Sequence, residues 1–144
     1  MSLSNNEDLI PRMLARCRTI AVVGLSANPE RDSHHVARYM QNHGYRIVPV
    51  NPSYTGTTIL GELCYASLLD AADHLALAGQ HIEMVDCFRR SDAILGIAED
   101  AIEIDALCLW TQLGVVNERA AALARASGMA VVMDRCLKIE HAYL

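Results

Sequence analysis

An apolar segment that ends in a turn of small residues constrains the fold of this chain more than any other feature. Residues 20–23 are all apolar and mostly β-branched, as expected of a strand that is buried on both faces. Gly24 follows at once and allows a sharp turn, and Asp32 or Ser33 can cap a helix beyond it. The N–H groups and the dipole of a helix N-terminus attract anions. The segment therefore predicts a strand, a turn and a helix that together hold an anion such as a phosphate.

Strand and helix patterns alternate along the rest of the chain. Strands are predicted at 20–23, 45–50, 82–88, 106–110 and 130–133. Helices are predicted at 7–18, 33–43, 91–101 and 117–127, the third of them capped by Ser91 or Asp92. Segment 53–61 predicts a surface loop, followed by a short helical turn at 67–69. Apolar strands that alternate with helices require a parallel sheet with both faces covered, so we expect one α/β, Rossmann-like domain with a five-stranded parallel sheet and helices on both faces.

Length and charge limit the domain organisation and the partners. The 144 residues fit one globular domain, for which we expect an N-terminal helix in 1–18 that packs on a domain spanning 19–144. The net charge of -5 and the scattered Lys and Arg residues argue against nucleic-acid binding. No apolar run approaches the roughly 20 residues that a membrane span needs, and the N-terminus does not resemble a signal peptide. We therefore expect a cytoplasmic protein that acts on neither nucleic acid nor membrane.

The five cysteines do not form a disulfide or zinc pattern. Their number is odd, their spacing is wide, and no C-x-x-C pair occurs. Cys87 and Cys108 lie in apolar strands, where cysteine serves as a small hydrophobic residue. Cys136 is the best candidate for a reactive thiol, because Arg135 can lower a thiol pKa and His141 can act as a base. A packing role for Cys136 is the favoured alternative, and a metal site formed with Glu140 and His141 is disfavoured.

The turn after the first strand does not carry a known nucleotide motif. A dinucleotide-binding turn would show G-x-G-x-x-G and an acidic residue after the second strand, but only Gly24 is present and Asn51 follows the second strand. The G-K-[ST] of a P-loop is also missing. Ser26, Arg31 and Ser33 offer hydroxyl and guanidinium groups for phosphate oxygens instead. The residues alone leave open that the serines only cap backbone groups and that Arg31 is a solvated loop charge.

Six motifs in chain order resemble those of the CoA-binding protein family. They are G-L-S-A-N-P-E-R-D-S at 24–33, P-V-N-P at 49–52, L-G-E at 60–62, V-D-C-F-R-R at 85–90, L-W-T-Q-L-G-V at 109–115 and V-M-D-R-C at 132–136, the last followed by I-E-H. Members of this family are small, stand-alone relatives of the CoA-binding domain in the succinyl-CoA synthetase alpha subunit. The resemblance covers about residues 19–144 and implies that coenzyme A lies at the carboxyl ends of the strands.

The resemblance also implies a role for individual residues. Phe88 and Trp110 have core packing as an alternative role, and Arg89 could instead form an exposed pair with Arg90. The resemblance implies that the pyrophosphate is bound by Gly24, Leu25, Ser26, Arg31 and Ser33, and that the adenosine lies beside Asn51 and Pro52. It also implies that the opposite wall of the site is formed by Phe88 and Arg89, and that the pantetheine arm leaves near Trp110 and Gln112.

Two further functions compete with CoA binding. Succinyl-CoA synthetase needs a second domain and a phosphorylated histidine, so we expect a non-catalytic module that binds CoA or an acyl-CoA and is not a ligase by itself. The alternatives are a small thiol-dependent oxidoreductase or transferase that uses Cys136, and a NAD-binding regulatory protein. The sequence does not determine whether the protein forms a homodimer, or which acyl group a bound acyl-CoA would carry.

Overall fold

The structure, a computed structural model, describes residues 6–144. In chain order the strands are β1 (Thr19–Val23), β2 (Arg46–Val50), β3 (Thr58–Ile59), β4 (Glu62–Leu63), β5 (Met84–Cys87), β6 (Cys108–Thr111) and β7 (Ala130–Val132). The α-helices are α1 (Asn6–Arg16), α2 (Asp32–Asn42), α3 (Leu68–Ala76), α4 (Ile94–Glu103), α5 (Glu118–Ala126) and α6 (Leu137–Ala142). Two short 3₁₀ helices, Pro52–Tyr54 and Ser91–Ala93, lie between them.

Five strands form a parallel sheet in the order β2-β1-β5-β6-β7, which confirms the predicted fold class. The chain leaves β1 toward β2 on one side, and β5, β6 and β7 continue on the other side. The strand order therefore reverses between β1 and β5. In open α/β sheets a crevice for ligands forms at this reversal, beyond the carboxyl ends of the strands.

Both faces of the sheet are covered, because side chains alternate along each buried strand. In β1, Ala21 packs with α3, α4 and α5, whereas Ile20 and Val22 pack with α1, α2 and α6. The helices α4 and α5 contribute mainly small alanines at their buried positions, which lets their backbones approach the sheet.

Helix α1 is fixed to the start of the sheet by polar contacts as well as by packing. The Glu83 carboxylate accepts hydrogen bonds from the backbone N–H groups of Arg18 at 2.7 Å and Thr19 at 3.1 Å. The same carboxylate pairs with Arg16 at 2.9 Å. Ile10 and Leu14 of α1 are buried in the core.

Several local predictions were wrong. The helical turn expected at 67–69 continues to Ala76, because Leu68, Ala71 and Leu75 recur at helical spacing and bury one face. The loop expected at 53–61 includes most of the Pro52–Tyr54 3₁₀ helix and part of the β3–β4 hairpin. Leu60 and Gly61 both have positive φ, at 55° and 78°, as a tight two-residue hairpin turn requires. Helix α6 was not predicted.

The predicted caps of two helices were also wrong. Arg31 occupies the N-cap position of α2, and no side chain caps this helix. The predicted helix at 91–101 starts as the Ser91–Ala93 3₁₀ helix before α4 begins, and it too has no side-chain cap. Asn117 caps α5 as expected, with its side chain accepting a hydrogen bond from the Ala120 N–H at 2.9 Å.

Within residues 6–144, no helix combines the length and the apolar character that crossing a bilayer requires.

Replacing Leu14 with Ala should lower the free energy of unfolding by about 2–5 kcal/mol, because Leu14 is fully buried and its loss leaves a cavity. Urea denaturation measures the change. The matched control is Leu77→Ala. Because Leu77 is 86% exposed, its replacement should change the free energy of unfolding little. Equal losses in the two variants would contradict the packing of α1 on the sheet.

Candidate functional site

The turn after β1 brings the ends of three strands together. The Gly24 N–H donates to the Val50 carbonyl at the end of β2 at 2.8 Å, and the Phe88 N–H donates to the Val23 carbonyl at 2.8 Å. Gly24 has a φ of +92°, and a Cβ atom there would lie 2.4 Å from the Phe88 carbonyl oxygen. Only glycine allows this approach, because any side chain would collide with backbone that cannot move aside. The turn is thus held at the point where the strand order reverses.

Side chains within the loop between β1 and α2 fix its shape. The Ser33 hydroxyl oxygen accepts a hydrogen bond from the Ser26 N–H at 3.0 Å, and the Ser26 hydroxyl oxygen accepts one from the Asn28 N–H at 3.0 Å. The buried His34 ring bonds to the Ser26 carbonyl at 3.0 Å through Nδ1. Both serines therefore brace the loop through their oxygens, and each retains a hydroxyl hydrogen that can be donated to a ligand.

Asn51 holds a second loop against the first. Its Nδ2 donates to the Leu25 carbonyl at 3.0 Å, and its Oδ1 accepts from the Ser53 N–H at 2.9 Å. Both polar ends of the side chain are therefore occupied by the protein. Asn51 acts as a brace that sets the distance between the loops after β1 and β2.

A polar cavity of about 650 Å³ lies between these loops. Hydroxyl, amide and guanidinium groups dominate its walls, and two exposed carboxylates, Glu30 and Asp32, also line it. A phosphate would be repelled beside the carboxylates and is better accommodated near the serines. The other lining residues are Gly24, Ser26, Asn28, Arg31, Ser33, Asn51, Ser53, Tyr54 and Phe88.

A second cavity of about 1210 Å³ adjoins the first and shares Asp32 and Phe88 with it. It lies over the ends of β5 and β6 and is closed on one side by α6. Its remaining lining residues are His35, Val36, Arg89, Arg90, Asp92, Ala93, Gln112, Leu113, Val115, Cys136, Lys138 and Ile139. The two cavities are therefore neighbours at the predicted edge of the sheet, and we refer to them together as the crevice.

Two guanidinium groups flank the centre of the crevice. Arg31 lines the polar cavity and Arg89 lines the larger one, and a Cβ atom on Gly24 would lie 3.0 Å from the Arg89 Cδ. Neither guanidinium forms a hydrogen bond or ion pair with the described residues, whereas Arg90 pairs with Asp92 at 3.1 Å. Arg31 and Arg89 therefore remain available to an anionic ligand.

A buried polar pair lies beneath the larger cavity. The Gln112 Nε2 donates to the Asp86 Oδ1 at 2.7 Å, and the Asp86 Oδ2 has no hydrogen-bond partner among the described residues although it is fully buried. Burial raises the pKa of Asp86 to about 7, and the hydrogen bond from Gln112 opposes part of that rise. Asp86 therefore holds Gln112 in place at the floor of the cavity.

Three of the residues implied by the resemblance do not line either cavity. Trp110 is fully buried and its indole N–H donates to the Arg135 carbonyl at 2.8 Å, so its side chain belongs to the core and does not line the crevice. The Leu25 side chain is fully buried, which leaves only its backbone near the loop. Pro52 is exposed at the start of a 3₁₀ helix and lines neither cavity. The other eight implied residues line the crevice, and their contacts with a ligand stay predictions.

The surroundings of Cys136 do not favour the reactive-thiol hypothesis. Cys136 is partly exposed and lines the larger cavity, but Arg135 pairs with Glu140 at 3.4 Å. The His141 Nδ1 bonds to the Tyr39 hydroxyl at 2.9 Å, and burial together with His43 and Arg18 lowers the pKa of His141. Both groups expected to activate the thiol thus have other partners. Among residues 6–144, no group of three or more His, Cys, Asp and Glu side chains is placed to hold a metal ion.

Sequence reasoning missed several residues of the crevice. Ser53 and Tyr54 lie in the turn after β2, which the rule that ligands bind beyond the strand ends indicates as a whole, but they were not predicted as individual site residues. Asp86 stands alone as an acidic residue in an apolar strand, which is a signal of a buried functional group. Ile139 could not have been found, because helix α6 was not predicted.

The fold and the crevice together define a Rossmann-like protein with a crevice at the strand-order reversal. A family model described as a CoA binding domain matches residues 18–142, and the chain belongs to this family. It is similar to the uncharacterized protein YneT of Bacillus subtilis, with 43% identity over 133 residues that cover 92% of each chain.

Solved structures of similar sequence have the same fold. The Thermus thermophilus protein named cell-free ID.343 is 32% identical, with a TM-score of 0.86 over 97% of this chain and 98% of that one. A hypothetical protein from Pyrococcus horikoshii OT3 is 35% identical, with a TM-score of 0.85 over 100% of this chain and 99% of that one. The likeness therefore extends over nearly the whole of each protein.

Replacing Gly24 with Ala should destabilise the protein by about 1–3 kcal/mol more than Gly128→Ala does. Both glycines have nearly the same positive φ, at 92° and 93°, but only at Gly24 would the new Cβ meet backbone atoms. Urea denaturation of the two variants separates the cost of the collision from the cost of the backbone conformation. Equal destabilisation would show that the Phe88 carbonyl does not constrain the turn.

Replacing Asp86 with Asn should make stability less dependent on pH. The folded-state pKa of about 7 lies above the value of about 3.9 expected in the unfolded chain, so folded Asp86 retains its proton while the unfolded chain loses it. The wild-type protein should therefore lose stability as the pH rises from about 4 to about 7, by up to roughly 1.4 kcal/mol per pH unit.

The measurement is the difference in unfolding free energy between wild type and Asp86→Asn at pH values from about 5 to about 8. The variant should gain stability relative to wild type up to about pH 7, and Asp73→Asn, the same change at an exposed aspartate, is the matched control. A constant difference between Asp86→Asn and wild type would contradict a buried, protonated Asp86.

Proposed function

We propose that this protein is a binding module for coenzyme A, with the nucleotide in the polar cavity and the pantetheine arm in the larger one. The observation that carries the proposal is the adjacency of the two cavities, which share Asp32 and Phe88, in a chain that belongs to the CoA-binding domain family. CoA has the same two parts, a phosphorylated nucleotide and a longer, less polar arm. A crevice with one polar and one mainly apolar half suits such a ligand.

The polar half supports a pyrophosphate near the start of α2. The Ser26 and Ser33 hydroxyls can donate to phosphate oxygens without breaking the hydrogen bonds that their oxygens accept. The N-terminus of α2 has no side-chain cap, so its first N–H groups have no competing side-chain acceptor. Arg31 and Arg89 supply positive charge from either side of Gly24. The module thus combines neutral donors with two cations.

The alternative functions receive less support from the geometry. An enzyme that binds NAD usually holds the ribose hydroxyls with an acidic residue after the second strand, but the residue there is Asn51, whose side chain braces the two loops. A thiol enzyme would need an activated Cys136, and its expected activators pair with Glu140 and Tyr39. We therefore place binding ahead of catalysis.

Replacing Arg31 with Ala should weaken CoA binding by about tenfold, because a charge-assisted hydrogen bond contributes about 1.5–3 kcal/mol. Isothermal calorimetry on reduced protein at one salt concentration measures the dissociation constants of CoA, dephospho-CoA and NAD. The fold should remain intact, since Arg31 is exposed and lies outside the core. CoA should bind more tightly than NAD.

The matched control is Arg119→Ala, which makes the same charge change on the exposed surface of α5, away from the crevice. It should bind CoA as the wild-type protein does. An equal loss of CoA affinity in both variants would show that Arg31 acts only through the overall charge of the protein and does not contact the ligand. No binding of CoA by the wild-type protein, or a preference for NAD, would overturn the proposed function.

A further inference from the structure

We infer that the larger cavity is a binding site for the acyl chain of an acyl-CoA thioester, so that the preferred ligand is an acylated form of CoA. This inference rests on the proposed function and names its substrate class. It concerns the part of the cavity beyond Phe88, toward α6 and the loop after β6. The polar cavity has no part in it.

The lining of the larger cavity divides into exposed charged groups and more buried apolar groups. The charged groups, among them Arg90, Asp92 and Lys138, are exposed to solvent. The more buried lining is mainly apolar and comes from Val36, Phe88, Ala93 and Val115. A charged rim around an apolar interior fits a ligand whose buried end is a hydrocarbon chain.

Size and position point to the same ligand. The larger cavity, at about 1210 Å³, has nearly twice the volume of the polar one and lies above the usual range of about 300–1,000 Å³ for small-molecule pockets. Phe88 lines both cavities, so a ligand that starts at the serines enters the larger cavity beside this ring. The cavity therefore has room for a chain beyond the thiol end of the pantetheine arm.

One polar group is available inside the cavity for the thioester. Gln112 is 8% exposed, and its amide makes no hydrogen bond with the described side chains other than the one it donates to Asp86. Its second N–H remains to donate to an acyl carbonyl oxygen. A single fixed donor among apolar walls orients a ligand that carries one carbonyl group at the start of a hydrocarbon chain.

Two apolar residues of the cavity are exposed to solvent and would be covered by a bound acyl chain. Leu113, in the loop after β6, is 62% exposed, and Ile139, in α6, is 46% exposed. Both residues would lose contact with water if a chain lay against them, and each buried methylene adds to the affinity. Because both side chains are substantially exposed, their replacement should leave the fold intact.

The test is a calorimetric series of CoA, butyryl-CoA, hexanoyl-CoA and octanoyl-CoA on the wild-type protein. The dissociation constant should fall with chain length, by up to about fourfold for each added methylene until the cavity is filled. Ile139→Glu and Leu113→Glu should each lose most of this gain, because a carboxylate at either position disfavours the chain. The control Leu77→Glu, at an exposed leucine that lines neither cavity of the crevice, should keep the full gain.

Cys136 provides a second measurement that is local to the cavity. It is the partly exposed cysteine, whereas the other four are buried. Octanoyl-CoA should slow its alkylation by a maleimide more than butyryl-CoA does, and neither thioester carries a free thiol that would consume the reagent. Equal protection by the two ligands would place the longer chain outside this cavity and overturn the inference.

The outcomes separate this inference from the proposed function. Equal affinity for CoA and octanoyl-CoA would overturn the acyl site and leave the CoA module standing. A gain with chain length that survives in both glutamate variants would place the chain at another surface and would also overturn the acyl site. Failure of every CoA species to bind would overturn both proposals.

Discussion

The close approach of Gly24 to the Phe88 carbonyl is the constraint on which the crevice depends. At this point the turn after β1 touches the turn after β5 and is also hydrogen-bonded to the end of β2. A residue with a side chain would push these two turns apart. The contact lies where the strand order reverses between β1 and β5, and Phe88 lines both cavities. Arg31 lines the polar cavity and Arg89 lines the larger one.

The two halves are built in different ways. The polar half is made of loops that are braced by side-chain to backbone hydrogen bonds, chiefly from Ser26, Ser33 and Asn51. Such bonds set the positions of donors before a ligand arrives, which lowers the entropic cost of binding. The larger half is bounded by side chains from α2, α6 and the loops after β5 and β6. Its more buried lining is mainly apolar, with Gln112 held by Asp86.

The strands could be predicted from the sequence, because a strand that is buried on both faces is a continuous apolar run. Such a run can be recognised without knowing which elements pack against it. The turn at Gly24 could also be predicted, since a strand that ends in glycine before a helix start has few other conformations. The roles of individual polar side chains could not. Ser33 was predicted as a possible helix cap, because serine often caps helices. Its hydroxyl oxygen instead accepts a hydrogen bond from the Ser26 N–H, seven residues earlier. This contact exists only once the loop has closed. The burial of Trp110 likewise depends on the packing of the segment around Arg135.

Helix α6 shows a further limit of sequence reasoning. It has only six residues and one buried side chain, Leu137, so its apolar periodicity is too short to detect. Its position comes from contacts with other elements, such as the hydrogen bond between His141 and Tyr39 of α2. This helix nevertheless closes the larger cavity. The part of the site that depends on long-range packing is therefore the part that the sequence did not reveal.

The central claim is that CoA occupies this crevice, and amide chemical-shift mapping by NMR on the ¹⁵N-labelled protein tests it most directly. Titration with CoA should shift the amide signals of residues 24–33, 51–54 and 88–89, while signals from the exposed face of α3 stay in place. Shifts that are absent, or that cluster away from these loops, would contradict the account.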